Sequence, residues 1–400
     1  MNTKVISSVR PKLKWKSRLF LNLISKIKVG EVEIDINGHT FNYKGEMNGP
    51  FVKLIIKNEK AISRIISASD IGLAEAIEHD WIECSDYRQL ILLACYNERE
   101  LVEMMQGTFL GTLAFKIKHL FRRNTRKNSK KNIHAHYDLG NAFYTEWLDE
   151  TMTYSSGIFN SESESLTQSQ INKYERILQQ INPKAGDHLL EIGCGWGGFA
   201  LYAIQTRKVK LHCVTLSQEQ YDYVQKLIDK HNLSDSWKVE IRDYRDLTEK
   251  YDHVVSIEMI EAVGKEYWSQ YFDIVARSLK QGGVAVIQAI TIQDKYFESY
   301  SRGTDFIQQY IFPGGMLLSN NNLRSLASHV QLEVLDLFEF GKDYARTLNE
   351  WDKNFMKKID IVKKIGFDDR FIRLWRFYFH YCEAGFLSER INVCQITVRK

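Results

Sequence analysis

The sequence predicts an α/β protein: a seven-stranded, doubly wound sheet with helices on both faces, preceded by a small α+β domain. Three observations predict it. From residue 133 onward, short apolar runs alternate with stretches of helical periodicity, as parallel sheets with crossover helices require. One such run ends in a glycine turn, "LLEIGCGWGG" (Leu189 to Gly198). Before residue 133 the pattern differs, with period-two alternation and turn dipeptides giving way to helices. At 400 residues, with 44% hydrophobic and 12% aromatic content and only four prolines, the chain is large enough for two cores.

The elements follow in order. Val29 to Ile56 alternates ("VEIDING", "TFNYKG", "VKLIIKN") around Asn-Gly and Lys-Gly turns, which predicts a small antiparallel sheet. "EKAISRIISAS", "IGLAEAIEHDW" and "YRQLILLACYNERELVEMM" repeat apolar residues three and four apart, as helices do. These segments make a domain over 1–115, and the charged stretch 116–132 is the natural linker. Over 133–400, strands are predicted at His188 to Ile192, Lys210 to Thr215, Trp237 to Ile241, His253 to Ile257, Gly283 to Ala289, Leu332 to Phe338 and Val393 to Val398. Helices are predicted at Phe199 to Gln205, Gln218 to His231 and Tyr267 to Leu279. The last strand is expected to return antiparallel.

Composition narrows the function classes. The net charge of +4 is concentrated in Arg10 to Arg18 and in "KIKHLFRRNTRKNSKKN" (Lys116 to Asn132). A solvated linker is the plain reading of such a run. Leu113, Phe115, Ile117, Leu120 and Phe121 interleave with it at near-helical spacing, which favours an anionic membrane surface over nucleic acid. The six cysteines form no CxxC pair, so neither a zinc site nor a disulfide framework is expected, and reduced thiols fit a cytoplasmic protein. No apolar run reaches the length of a membrane span, so membrane contact is expected to be peripheral.

The glycine turn raises the question of its ligand. A dinucleotide site would end its second strand on an acidic residue for the ribose, whereas here that strand ends "CVTLSQEQ". Glu191, just ahead of the glycines, suits instead the amino-acid portion of a sulfonium nucleoside. "RDYRDL" after the third strand offers an Asp and aromatic neighbours for an adenine. "YDHVVSIEMIEAVG" and "LKQGGVAVIQAI" supply the fourth and fifth strands. This ordered set points to S-adenosylmethionine.

These residues resemble one family, the S-adenosylmethionine-dependent cyclopropane fatty-acyl-phospholipid synthases and mycolic acid cyclopropane synthases. The resemblance rests on "HYDLGNAFYTEWLDETMTYSSGIF" (His136 to Phe159), "LEIGCGWGG", "VTLSQEQ", "EMIEAVG", "YIFPGG", "CEAGF" and "CQITVRK". It implies a class I methyltransferase, Rossmann-like catalytic domain over 133–400 with an acceptor-binding insertion at about 290–325, and a sterol-carrier-like N-terminal domain. It also implies a cofactor site of Tyr154, Ser155, Glu191, Gly193, Gly195, Trp196, Gly197, Thr215, Leu216, Ser217, Gln220, Tyr244 and Arg245.

The activity so implied is transfer of methylene to the cis double bond of unsaturated acyl chains in membrane phospholipids at the inner membrane face. A carbocation forms and loses a proton to bound bicarbonate. Glu261 and Tyr344 match the bicarbonate pocket. Two positions depart from the family pattern: Ser156 stands where Cys is frequent, and Gln288 where His is. Both still form hydrogen bonds, but Gln288 cannot take up a proton. A methyl-branched or methylene product, or methylation of a small-molecule amine, therefore stays open, as does a homodimer. Cys382 matches a cysteine often marked as active, although packing is the plainer role for a thiol among aromatic residues. Glu261 has a plain alternative too, as a helix cap.

Overall fold

A computed structural model describes residues 13–105 and 139–400. The basic segment 116–132 and His136, Tyr137 and Asp138 lie outside the described residues. The elements begin with α1 (Trp15–Ile24), β1 (Val29–Ile36), β2 (His39–Lys44), β3 (Met47–Ile56), α2 (Lys60–Glu78), β4 (Ile82–Cys84), α3 (Tyr87–Tyr96) and α4 (Glu98–Met105). Then come α5 (Asn141–Tyr144), α6 (Leu166–Ile181), β5 (His188–Ile192), α7 (Gly198–Arg207), β6 (Lys210–Thr215), α8 (Gln218–His231), β7 (Trp237–Ile241) and β8 (Tyr251–Ile257). The chain continues through α9 (Trp268–Ser278), β9 (Leu279–Ile292), α10 (Asp294–Arg302), α11 (Asn320–His329), β10 (Glu333–Glu339), α12 (Gly341–Lys357), α13 (Ile359–Lys364), α14 (Asp369–Leu387) and β11 (Ile391–Arg399).

The described residues form two compact units. The first unites the residues up to 105 with Gly303–Ile311 and Gly366–Arg390. The sequence places those later segments in a catalytic domain over 133–400, and the structure divides the chain differently. The reason lies in α14, whose Phe377 and Phe379 are fully buried. Within the unit Phe377 packs edge-on against Tyr87 of α3, and Asp70 of α2 accepts from the Phe306 N–H and the Tyr381 hydroxyl, both at 3.0 Å. A helix with this much aromatic surface needs partners, and α2 and α3 supply them.

The four-stranded sheet of this unit runs β2-β1-β3-β4, with β1 and β3 parallel rather than antiparallel as the turn signals predict. Leaving β2, the chain passes beneath the start of β1 and emerges at its other edge. Gly45 makes the close pass, since a Cβ there would lie 2.3 Å from the Lys28 carbonyl oxygen. Cys382 belongs to this first unit and not among the cleft residues described below. Burial and the Asp305 carboxylate push its thiol up, so it stays protonated.

The second unit holds the seven-stranded sheet, ordered β10-β11-β9-β8-β5-β6-β7. All seven predicted strands are present, with β5, β6, β7, β8 and β9 pairing in parallel and β11 antiparallel between β9 and β10. Strands buried on both faces read as continuous apolar runs, which is why they were visible in the sequence. One face packs against Tyr174, Ile177, Phe199 and Val224 of α6, α7 and α8. The other packs against Tyr271, Phe272, Val275 and Leu323 of α9 and α11. Because β6 and β8 lie on opposite sides of β5, the strand order reverses there, and a crevice opens at the carboxyl ends of β5 and β8.

Candidate active site

The crevice is a cleft of about 170 Å³. Its floor is the turn after β5, where Gly193 and Gly197 take φ of +80° and +85°. Gly197 also lies so close to Trp237 that a Cβ would come within 2.8 Å of the indole. Only glycine meets both demands. Glu191, 2% exposed, lies just ahead of the turn and accepts from the Cys213 thiol at 3.3 Å. Burial pushes its carboxyl up to about 8, against the pull of Cys213 and the Lys173 charge.

The neighbouring strand ends supply the remaining walls. At the end of β6, Thr215 Oγ1 donates to Gln220 Oε1 at 2.7 Å, and Ser217 caps α8 by accepting from the Gln220 N–H. Thr215, Leu216 and Gln220 line the cleft, whereas Ser217 and Gly197 shape its walls from behind. After β7, Arg245 pairs with Asp243 through Nε at 2.8 Å and a second nitrogen at 2.6 Å, which fixes the turn bearing Tyr244. Tyr244 and Arg245 both face the cleft.

One wall of the cleft is aromatic, formed by Tyr154 and the rings that back it. Tyr154 packs against Trp351 at 5.2 Å, Trp147 at 5.4 Å, Tyr144 at 5.5 Å and Phe312 at 6.3 Å between ring centres. Trp196 Nε1 donates to Asn141 at 2.7 Å, tying α5 to the glycine turn. Ser155 is held from behind by Lys173, whose ammonium donates to Ser155 Oγ at 2.6 Å and Gln170 Oε1 at 2.5 Å. Burial brings this fully buried amine down to about 7, while Glu258, Asp149 and Glu191 pull the other way.

Where β8 ends, the structure adds a residue that the sequence motifs do not single out. Glu258 adopts φ +50°, and its part-buried carboxylate lines the cleft. It accepts from the Ser156 N–H at 2.9 Å, Gln288 Nε2 at 2.7 Å and the Tyr344 hydroxyl at 2.6 Å. Burial raises its pKa, and Tyr344 and Lys173 oppose the rise. Glu261 takes a different place from the one expected: Oε1 accepts from the Ile290 N–H at 2.5 Å, while Oε2 is buried without a hydrogen-bond partner. Burial and the Glu258 charge push its carboxyl up to about 8, so it is mostly neutral at pH 7.

Ser156, Gln288 and Tyr344, expected around bicarbonate together with Glu261, thus converge on Glu258 instead. A further anion there would lose these donors and face a carboxylate, so the residues present do not fit bicarbonate. The signal that could have found Glu258 was visible: two acids three residues apart follow the strand in "SIEMIEAVG". Lys173, the other omission, falls inside an ordinary helical pattern. Among the described residues, no group of three or more His, Cys, Asp or Glu could hold a metal ion.

Comparison with known proteins agrees with this architecture. A family model described as mycolic acid cyclopropane synthetase matches residues 124–396. The tuberculostearic acid methyltransferase UfaA1 of Mycobacterium tuberculosis is 36% identical over 283 residues, covering 69% of this chain and 66% of its own, so this chain spans slightly under two thirds of that relative. The cyclopropane-fatty-acyl-phospholipid synthase of Escherichia coli K12 is 29% identical over 347 residues, covering 85% of this chain and 86% of its own. The crystal structure of the mycolic acid cyclopropane synthase CmaA1, complexed with SAH and CTAB, superposes with a TM-score of 0.64 at 28% identity, over 68% of this chain and 98% of that one. The fold, the cleft at the reversal of strand order and the matched span together place the chain in the mycolic acid cyclopropane synthetase family of S-adenosylmethionine-dependent methyltransferases.

Proposed function

We propose that the protein transfers a one-carbon unit from S-adenosylmethionine to the cis double bond of an unsaturated acyl chain in a membrane phospholipid, closing a cyclopropane ring. The cofactor supplies an electrophilic sulfonium methyl group. Glu191 and the amides of the glycine turn would hold its amino-acid end, Thr215 and Gln220 the ribose, and the Tyr244 turn the adenine. The observation that carries the reading is the pairing of an aromatic wall with the part-buried Glu258 carboxylate in one cleft. Methylation of an alkene leaves a carbocation, which the π faces around Tyr154 stabilise and which a dry site protects from water.

Docking to lipid is supported by α1, where Trp15 (63% exposed) and Leu19 (36% exposed) lie beside Lys14 and Arg18. Exposed apolar side chains flanked by cations suit an anionic interface. Among the described residues no helix is long and apolar enough to cross a membrane. A second reading shares the methyl transfer but ends in a methyl-branched or methylene chain. Glu258 in the place expected for bicarbonate favours considering it, because the position of the base selects the proton that is lost.

The test is to incubate the protein with methyl-labelled cofactor and vesicles of unsaturated phospholipid and to analyse the acyl chains by mass spectrometry and NMR. Label in a saturated, ring-bearing chain is the expected result. Label in a chain that keeps an alkene selects the second reading, and label in a headgroup or added amine contradicts both.

A further inference from the structure

The three donors gathered on Glu258 come from three separate parts of the second unit: the loop after α5, strand β9 and helix α12. Gln288 has no choice of orientation. Its Oε1 accepts from Gln395 Nε2 at 3.0 Å, and Gln395 in turn accepts from Arg176 at 2.8 Å, so Nε2 must point at Glu258. The Glu258 backbone donates to the Gln288 carbonyl at 2.9 Å, which locks the two residues together. A glutamate at φ +50° is in a costly conformation, and such a cost is kept where the surroundings impose it. Here it presents a carboxylate to a cleft whose other residues suit a sulfonium nucleoside.

We propose that the carboxylate of Glu258 is the protein's own base, standing where a bound bicarbonate would otherwise act. The proposal rests on the alkene-methylation reading above. In the step concerned, a Glu258 oxygen takes a proton from the newly attached methyl group. The released C–H electron pair forms the carbon–carbon bond that closes the ring and neutralises the cation. Glu258 is left as a neutral carboxylic acid, which returns its proton to solvent through the cleft it lines. A carboxylate and a bicarbonate present the same pair of acceptor oxygens to hydrogen-bond donors, so the same three donors serve either.

The test compares the full-length protein with Glu258→Gly and Glu258→Gln, in CO₂-free buffer and with added bicarbonate or formate. Glycine suits φ +50° and leaves a hole of carboxylate size with its three donors in place. Glutamine fills the hole without supplying a base. The wild type is expected to turn over at the same rate with or without bicarbonate. Each variant is expected to lose activity by a factor of about 100 or more. Added bicarbonate or formate restores turnover to the glycine variant and not to the glutamine variant, and residual product carries a hydroxyl group because water quenches the cation. Melting curves and calorimetric cofactor binding establish that both variants are folded. The inference is overturned if wild-type turnover requires bicarbonate, if the glycine variant works at the wild-type rate without an added anion, or if no anion rescues it while it stays folded. Absence of label from the acyl chains with the wild-type protein under every condition sinks the functional reading itself.

Discussion

Lys173 has no exposed surface, yet it faces the charges of Glu258, Asp149 and Glu191. Burial lowers its pKa from 10.5 to about 7, so between those values the unfolded chain binds a proton that the folded chain lacks. Stability therefore rises with pH across that window, and the cost of the buried amine is fully present below it. Replacing Lys173 by Met removes this dependence. Urea unfolding of both proteins is expected to show the variant gaining on the wild type as pH falls from 10.5 to about 7. A stability difference that is flat over this window would mean that the amine is not the titrating group. The residue scale is also where the sequence was least legible. Glu191 and the glycines announce themselves by adjacency, whereas Glu258 and Gln288 are partners only because β8 and β9 lie side by side. A motif resemblance assigned Tyr344 to Glu261 and bicarbonate; the geometry gives its hydroxyl to Glu258.

Among the elements, α12 links core to chemistry. Tyr344 and Trp351 lie two turns apart on it, so one helix presents a hydroxyl to Glu258 and an indole to Tyr154. Trp351 is fully buried among Trp147, Tyr154 and Tyr344. Trp351→Ala is expected to cost about 3–5 kcal/mol of stability. It should also weaken cofactor binding, because Tyr154 loses the ring that supports it. Denaturant melts and calorimetry check both effects, and unchanged cofactor affinity in a destabilised variant would show that the aromatic wall does not position the site. The strands of the large sheet were legible because each is a short apolar run bounded by turn residues. The parallel pairing of β1 and β3 was not, since turn dipeptides report where a chain reverses and not which edge it joins.

At the scale of the whole molecule, the division into units departs most from a reading along the chain. The linker composition marks a boundary near residue 116, but the first unit is completed by residues far beyond it. Phe377 and Phe379 carry much of its buried aromatic surface, and Arg88 pairs with Glu383 at 3.1 Å. A fragment ending at residue 132 is therefore expected to lack a cooperative unfolding transition and near-ultraviolet circular dichroism. A fragment that melts cooperatively would show that α14 is dispensable to this core. No sequence pattern could reveal the arrangement, because contacts between distant segments leave no local periodicity.

That an acyl-chain cation is made and then loses a proton from the newly attached methyl group has a direct measurement. The full-length protein is supplied with cofactor bearing a fully deuterated methyl group and with vesicles of unsaturated phospholipid, and the lipid products are weighed by mass spectrometry. The label is expected to enter the acyl chain and to arrive short of a single deuteron, the one removed by the base. A product that retains every deuteron, on a headgroup, an amine or the chain itself, would contradict it.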